Sequence, residues 1–154
     1  VRSRRQRQMC IRDSPWLKKI NNPQKYLNKK LEKIYKNIKF FHGKNIIFTI
    51  LLTNSSKMKK LNKKFRKINK STDVLSFPNL PFKKIKFVKG NSFYIGDIAI
   101  SYEIINLRSK KCLFQSEFDK AWVHGLLHLA GFDHVKNKDY FVMDKIEKRI
   151  LNLI

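Results

Sequence analysis

A chain of 154 residues with 42% apolar residues is long enough to bury one core and too apolar to stay disordered. Its formal net charge of +24 points to a polyanionic partner such as nucleic acid, although lysine-rich codon usage leaves the same charge on a solvated surface. There is no apolar run long enough to cross a membrane and no leader-like segment, and Cys10 and Cys112 are too few for a disulfide framework, so a reducing, cytoplasmic compartment is expected.

In chain order, residues 1–14 (VRSRRQRQMCIRDS) stand apart: they hold five of the eight arginines and none of the 27 lysines. They read as an adapter-like, non-native segment, with a basic arm for nucleic acid as the alternative, and residues 15–154 read as one domain. Asn22-Pro23 is an N-cap followed by proline at the first helical position. Leu27, Leu31, Ile34, Tyr35, Ile38 and Phe41 then share one face of a helix that His42-Gly43 ends. The β-branched run 46–52 predicts a buried strand. Met58, Leu61, Phe65 and Ile68 form the inward face of a second helix. Lys57, Lys59, Lys60, Lys63, Lys64 and Lys67 cover much of the rest, as a polyanion-binding surface or as a merely solvated one.

STDVLSFP (71–78) predicts a strand stopped by Pro78, residues 79–92 a basic loop, and FYIGDIAIS (93–101) a further strand. A short helix is expected near 102–107, then a helix over 117–130 closed by Gly131 at C′. The last helix, 139–153, places Phe141, Val142, Ile146, Ile150 and Leu153 inward. Central strands flanked by helices predict an α+β fold, a small mixed sheet packed with helices in a single domain. The charge is uneven. Residues 15–90 carry 21 Lys or Arg against Glu32 and Asp73, whereas 91–154 carry nine against eight acids.

HGLLHLAGFDH (124–134) holds three of the four histidines, in the near-neutral half. His124 and His128, four residues apart on a helix, stack on one face about 6 Å apart along the axis, so both imidazoles reach one ion. Gly131 lets the chain leave the helix and return His134 to the same point, making a zincin-like metal helix. Three neutral nitrogens leave the fourth position of one tetrahedral Zn²⁺ open. Nickel or iron also suits imidazole, and softness favours zinc. A closed structural site would need a fourth ligand, for which Asp133 and Asp139 are the nearest candidates. Asp133 reads equally well as an acceptor orienting an imidazole and as a turn residue. The spacing is that of metzincin peptidases, which carry a glutamate directly after the first histidine as general base. Here that residue is Gly125, and the peptidase reading loses its base.

Three stretches in order, STDVLSFP, GDIAIS and HGLLHLAGFDH, together with LNKKFRKINK before them, resemble the signatures of the YbeY endoribonucleases. The resemblance spans about residues 24–153. The family begins with a β-strand where this chain has residues 1–14, and LPFKKIKFVKGNS, between the first two signatures, is unusually basic. The resemblance implies a zinc-dependent, single-strand-specific endoribonuclease of ribosomal RNA maturation, at the small-subunit RNA 3′ end, and of ribosome quality control. It implies His124, His128 and His134 as zinc ligands and Arg66 as the functional arginine. The chemistry fits: zinc brings the pKa of bound water to about 7, so a glutamate base is less necessary. Arg66 can grip two phosphate oxygens at once, with a surface salt bridge as the plainer role. Lys63, Lys64 and Lys67 beside it would track the RNA backbone. Thr72 and Asp73 could line the cleft or merely start a strand, with structure favoured for Thr72, and Asp97 reads as a strand-end turn or hydrogen-bond anchor. A rival reading is a ribosome-associated RNA-binding or assembly factor whose metal is structural.

Overall fold

The computed structural model describes residues 15–42, 46–79, 92–133 and 137–154. Residues 1–14, Gly43, His134 and the stretch 80–91 therefore lie outside the described residues. No described helix is long and apolar enough to cross a membrane.

The chain enters through a five-residue helix, α1 (Pro15–Lys19), too short to give a periodic signal in the sequence. Trp16 anchors it. The ring is buried edge-on against Tyr102, Phe114 and Phe118, and its Nε1 donates to the Thr53 carbonyl at 3.3 Å. Helix α2 (Pro23–Asn37) starts as expected: the Asn22 side chain accepts from the Lys25 N–H at 2.9 Å and Pro23 needs no partner there. Leu27, Leu31 and Ile34 are buried. The helix ends earlier than its apolar pattern. Ile38 turns extended, and a 3₁₀ turn (Lys39–Phe41) buries Phe41. Strand β1 (Ile46–Thr53) follows, then α3 (Ser55–Arg66), capped by Asn54.

Helix α3 corrects the inward face drawn for it. Met58 is buried and Leu61 half-buried, but Phe65 and Ile68 are 53% and 54% exposed. The helix stops at Lys67, whose φ of 62° is left-handed, so Ile68 does not continue the helical face. The first turns bury their apolar side chains on the sheet, and the last one meets only its edge, Phe65 against Phe77 and Arg66 at the Ser76 carbonyl.

Strand β2 (Val74–Pro78) starts later than expected, and β3 (Phe93–Ser101) spans the expected range. The described strands order β1-β3-β2, with β3 parallel to β1 and antiparallel to β2. The central strand is covered on both faces, which is why its sequence is nearly all apolar. The β1–β3 register slips at Ile47/Phe48, opposite Gly96. Gly96 has φ 137°, and a Cβ there would stand 2.2 Å from the Phe77 carbonyl oxygen, so only glycine fits.

Helices α4 (Tyr102–Arg108), α5 (Phe114–Leu129) and α6 (Asn137–Leu153) complete six α-helices among the described residues. The fold is α+β with a small mixed sheet, as read from the sequence. Helix α5 is the core element, burying Phe118, Trp122, Val123, Leu126 and Leu129. Its Asp119 is buried but well supplied: Tyr26 Oη donates at 2.9 Å, Trp122 Nε1 at 2.8 Å, and Lys30 pairs with it. This ties α2 to α5, and burial together with the facing carboxylate pushes the Tyr26 hydroxyl far above its ordinary pKa. In α6, Met143 and Ile150 are buried and Ile146 and Leu153 pack beside them. Phe141 and Val142, expected inward, are 68% and 52% exposed. The face is set by positions 143, 146 and 150; Phe141 falls off it, while Val142, four residues before Ile146, stays near its edge and is exposed.

Candidate active site

The C-terminal end of α5 carries His124 and His128, as the i, i+4 spacing requires. Their Nε2 atoms lie 3.1 Å apart. Each ring is held through its other nitrogen. His128 Nδ1 lies 3.1 Å from the Phe132 carbonyl oxygen, which only accepts, so that Nδ1 carries the proton. His124 Nδ1 lies 3.2 Å from Glu147 Oε2, a carboxylate that likewise accepts. With those tautomers both Nε2 lone pairs face the cleft 3.1 Å apart, a separation that a shared proton or a shared cation stabilises. Imidazoles sharing one tetrahedral zinc, each at about 2.0–2.1 Å, stand roughly 3.3 Å apart. The donor set therefore fits a borderline-soft divalent ion, with acceptors behind the rings as such sites have. Among the described residues no group of three potential ligands gathers, and the third expected ligand, His134, lies outside them.

The helix end builds this arrangement. Gly131 has φ 86°, its N–H bonds the His128 carbonyl, and the Phe132 N–H bonds the Leu127 carbonyl, both at 2.9 Å. This is a Schellman ending, and it swings the Phe132 carbonyl back beneath His128.

Gly125 shows why a base is missing after the first histidine. A Cβ there would stand 2.8 Å from Ile98 Cγ2 and 3.2 Å from Ser76 Oγ, and Ser76 Oγ donates to the Gly125 carbonyl at 3.3 Å. The position faces the sheet, where helix and strands meet at backbone distance. Gly125→Ala is expected to destabilise the protein by about 1–2 kcal/mol, because overpacking outweighs the helix-propensity gain of about 1 kcal/mol. Thermal denaturation would show this as a lower midpoint; an unchanged or higher one would refute the close packing.

The histidines open into a cleft of about 1060 Å³ between α5, α6, β2 and the end of α3. Arg66 lines it from the α3 side, and its Nη2 donates to the Ser76 carbonyl at 3.2 Å. No carboxylate pairs with it among the described residues. Lys63, Lys64 and Lys67 are exposed on the same helix end but do not line the cleft. Asp133 lines the cleft and is exposed, yet the acceptors behind His124 and His128 are Glu147 and the Phe132 carbonyl. Thr72 also lines the cleft, donating to Asp73 at 2.9 Å. Asp97 is a hydrogen-bond anchor, accepting from the Tyr94 hydroxyl.

Sequence reasoning missed several residues. Glu147, 23 positions from His124, has no local pattern that would expose it. Asn62 is buried and donates to the Lys70 carbonyl at 2.7 Å, fixing the turn after Arg66. Asp73 is not among the missed residues: it lines the cleft, one of the two places the sequence left open for it, and the partner not foreseen is Arg108, which pairs with it. Burial alone would raise the Asp73 carboxyl; the Thr72 hydroxyl, the Arg108 guanidinium and the Val74 N–H outweigh it and hold the group below the usual carboxylate range. Lys120 and Glu117 pair on the α5 side.

Comparisons with known proteins agree with one another. The sequence model of the family described as Endoribonuclease YbeY matches residues 12–154. Endoribonuclease YbeY of Pelagibacter ubique is 46% identical over 141 residues, covering 90% of this chain and 89% of that protein. Endoribonuclease YbeY of Caldicellulosiruptor bescii is 38% identical over 128 residues, 78% of this chain and 81% of the relative. The solution structure of TM1509 from Thermotoga maritima superposes with a TM-score of 0.59 at 27% identity, covering 86% of this chain and 81% of that one.

Proposed function

This chain belongs to the YbeY endoribonuclease family, and from that premise we propose that it is a zinc-dependent endoribonuclease specific for single-stranded RNA. Its field of action is ribosomal RNA maturation, at the small-subunit RNA 3′ end, and ribosome quality control, in the cytoplasm. The single observation that carries the reading is the convergence of His124 Nε2 and His128 Nε2 in the cleft that Arg66 lines.

His124 and His128, with His134 as the third ligand, would hold the ion. Zinc in that place supplies a Lewis acid and an acidified water near neutral pH, which removes the need for a side-chain base at residue 125. The protein's own groups do the rest. Glu147 and the Phe132 carbonyl hold the Nδ1 protons and so keep each Nε2 available. Arg66 spends one donor on Ser76 and keeps four N–H bonds for phosphate oxygens. There it positions the strand and balances the charge that grows on those oxygens as the phosphodiester breaks. Lys63, Lys64 and Lys67 hold the flanking backbone by charge, without reading sequence.

Metal analysis and a cleavage assay on the full chain test the proposal. About one equivalent of zinc is expected, with cleavage of unpaired RNA, sparing of duplex, and loss of activity on chelation that zinc restores. Zinc bound with RNA untouched, even on small ribosomal subunits, would favour the rival reading of an assembly factor with a structural metal.

A further inference from the structure

The last turn of α3 carries two large apolar side chains that the core does not use. Phe65 and Ile68 are 53% and 54% exposed, while Met58 and Leu61 make the contact with the sheet. Phe65 is held in place: its ring packs edge-on against Phe77 with centroids 5.0 Å apart. Its chain neighbour is Arg66, and Arg66 and Ile68 both line the cleft. Whatever enters the cleft from this side passes this surface. Residues 55–70 contain no acid, Lys64 Nζ lies 5.2 Å from the ring centroid, and Lys63 and Lys67 are exposed on the same helix end.

Resting on the endoribonuclease reading, we propose that Phe65, flanked by Ile68, is a stacking platform for an unpaired base of the RNA strand whose phosphate Arg66 receives. An exposed aromatic ring inside an all-cationic surface is the combination that single-stranded nucleic acid recognises: cations take the phosphates and the ring takes a base face. A protein partner large enough to need this patch would meet a field of lysines with no acid to complement it. A paired base has both faces stacked already, so the platform discriminates against duplex. It does not select among bases, since each has a π-face. Lys64, on a flexible stem, moves aside when the base arrives.

The test is equilibrium binding of a labelled, unstructured RNA to the full chain under chelation, with a parallel zinc-supplemented cleavage assay. Phe65→Ala and Phe65→Leu are expected to weaken binding about tenfold, the leucine variant keeping apolar bulk without a ring. The salt dependence should be unchanged, because a stack releases no counterions, whereas Lys64→Ala should lower the slope by about one. Phe65→Trp should bind like wild type, with its fluorescence quenched by the RNA. Duplex binding should be the same in all the Phe65 variants. Wild-type affinity in Phe65→Leu, or a changed salt slope in Phe65→Ala, would overturn the platform. Binding with the expected Phe65 dependence but no cleavage by wild type would overturn the nuclease reading and leave the platform standing.

Discussion

His128→Ala is expected to lose bound zinc and RNA cleavage together, with a fall in rate of at least about a thousandfold. The ring contributes one of the two facing Nε2 atoms, 3.1 Å from its neighbour, so its removal leaves His124 without a convergent partner among the described residues. The same change frees the Phe132 carbonyl, but that group sits at a solvent-lined helix end, and folding should survive. Metal content, single-turnover cleavage and far-UV circular dichroism, measured side by side, separate the site from the fold. A folded, metal-free His128→Ala protein that still cleaved RNA at the wild-type rate would remove the metal from the mechanism.

Arg66→Ala should behave differently. It is expected to retain its zinc and lose about 10²–10³ in the cleavage rate, as when one preorganised charge-stabilising donor is removed. Its Nη2 donates to the Ser76 carbonyl, whereas the two histidine rings are held by Glu147 and the Phe132 carbonyl. Arg66→Lys should recover only part of the loss, since an ammonium keeps the charge but not the planar fork that meets two phosphate oxygens. Zinc loss in Arg66→Ala would recast the residue as structural, and an unchanged rate with zinc present would remove it from the site. The split between the two variants is what distinguishes a residue that holds the ion from one that holds the substrate.

Much of the fold was legible because its signals are local. Asn22-Pro23 starts its helix by reaching a backbone N–H three residues ahead. The apolar run ending at Ser101 reads as a strand, and the sheet places it at the centre. Errors fell where periodicity stopped carrying information. Phe65, Ile68, Phe141 and Val142 fit an apolar stripe in the sequence yet are half or more exposed: Phe65 meets only the sheet edge, Ile68 lies beyond the helix end at Lys67, and Phe141 falls off the buried face. Helix α1 was missed although Trp16 is among the largest fully buried side chains, since one turn has no period to detect.

For the site, the sequence alone determined what the i, i+4 spacing and the Gly131 break can determine. His124 and His128 share one helical face, and the chain turns out of the helix just after them, because 3.6 residues per turn and a left-handed glycine leave little choice. It also marked Gly125 as no base. Only the tertiary structure decided the rest. It brought Glu147 behind His124 and Arg66 across from the histidines, and it showed that Gly125 is glycine because Ile98 and Ser76 press against it. These are contacts between elements tens of residues apart. Their positions follow from how α5 and α6 pack and where the end of α3 meets the sheet edge, which no local repeat encodes.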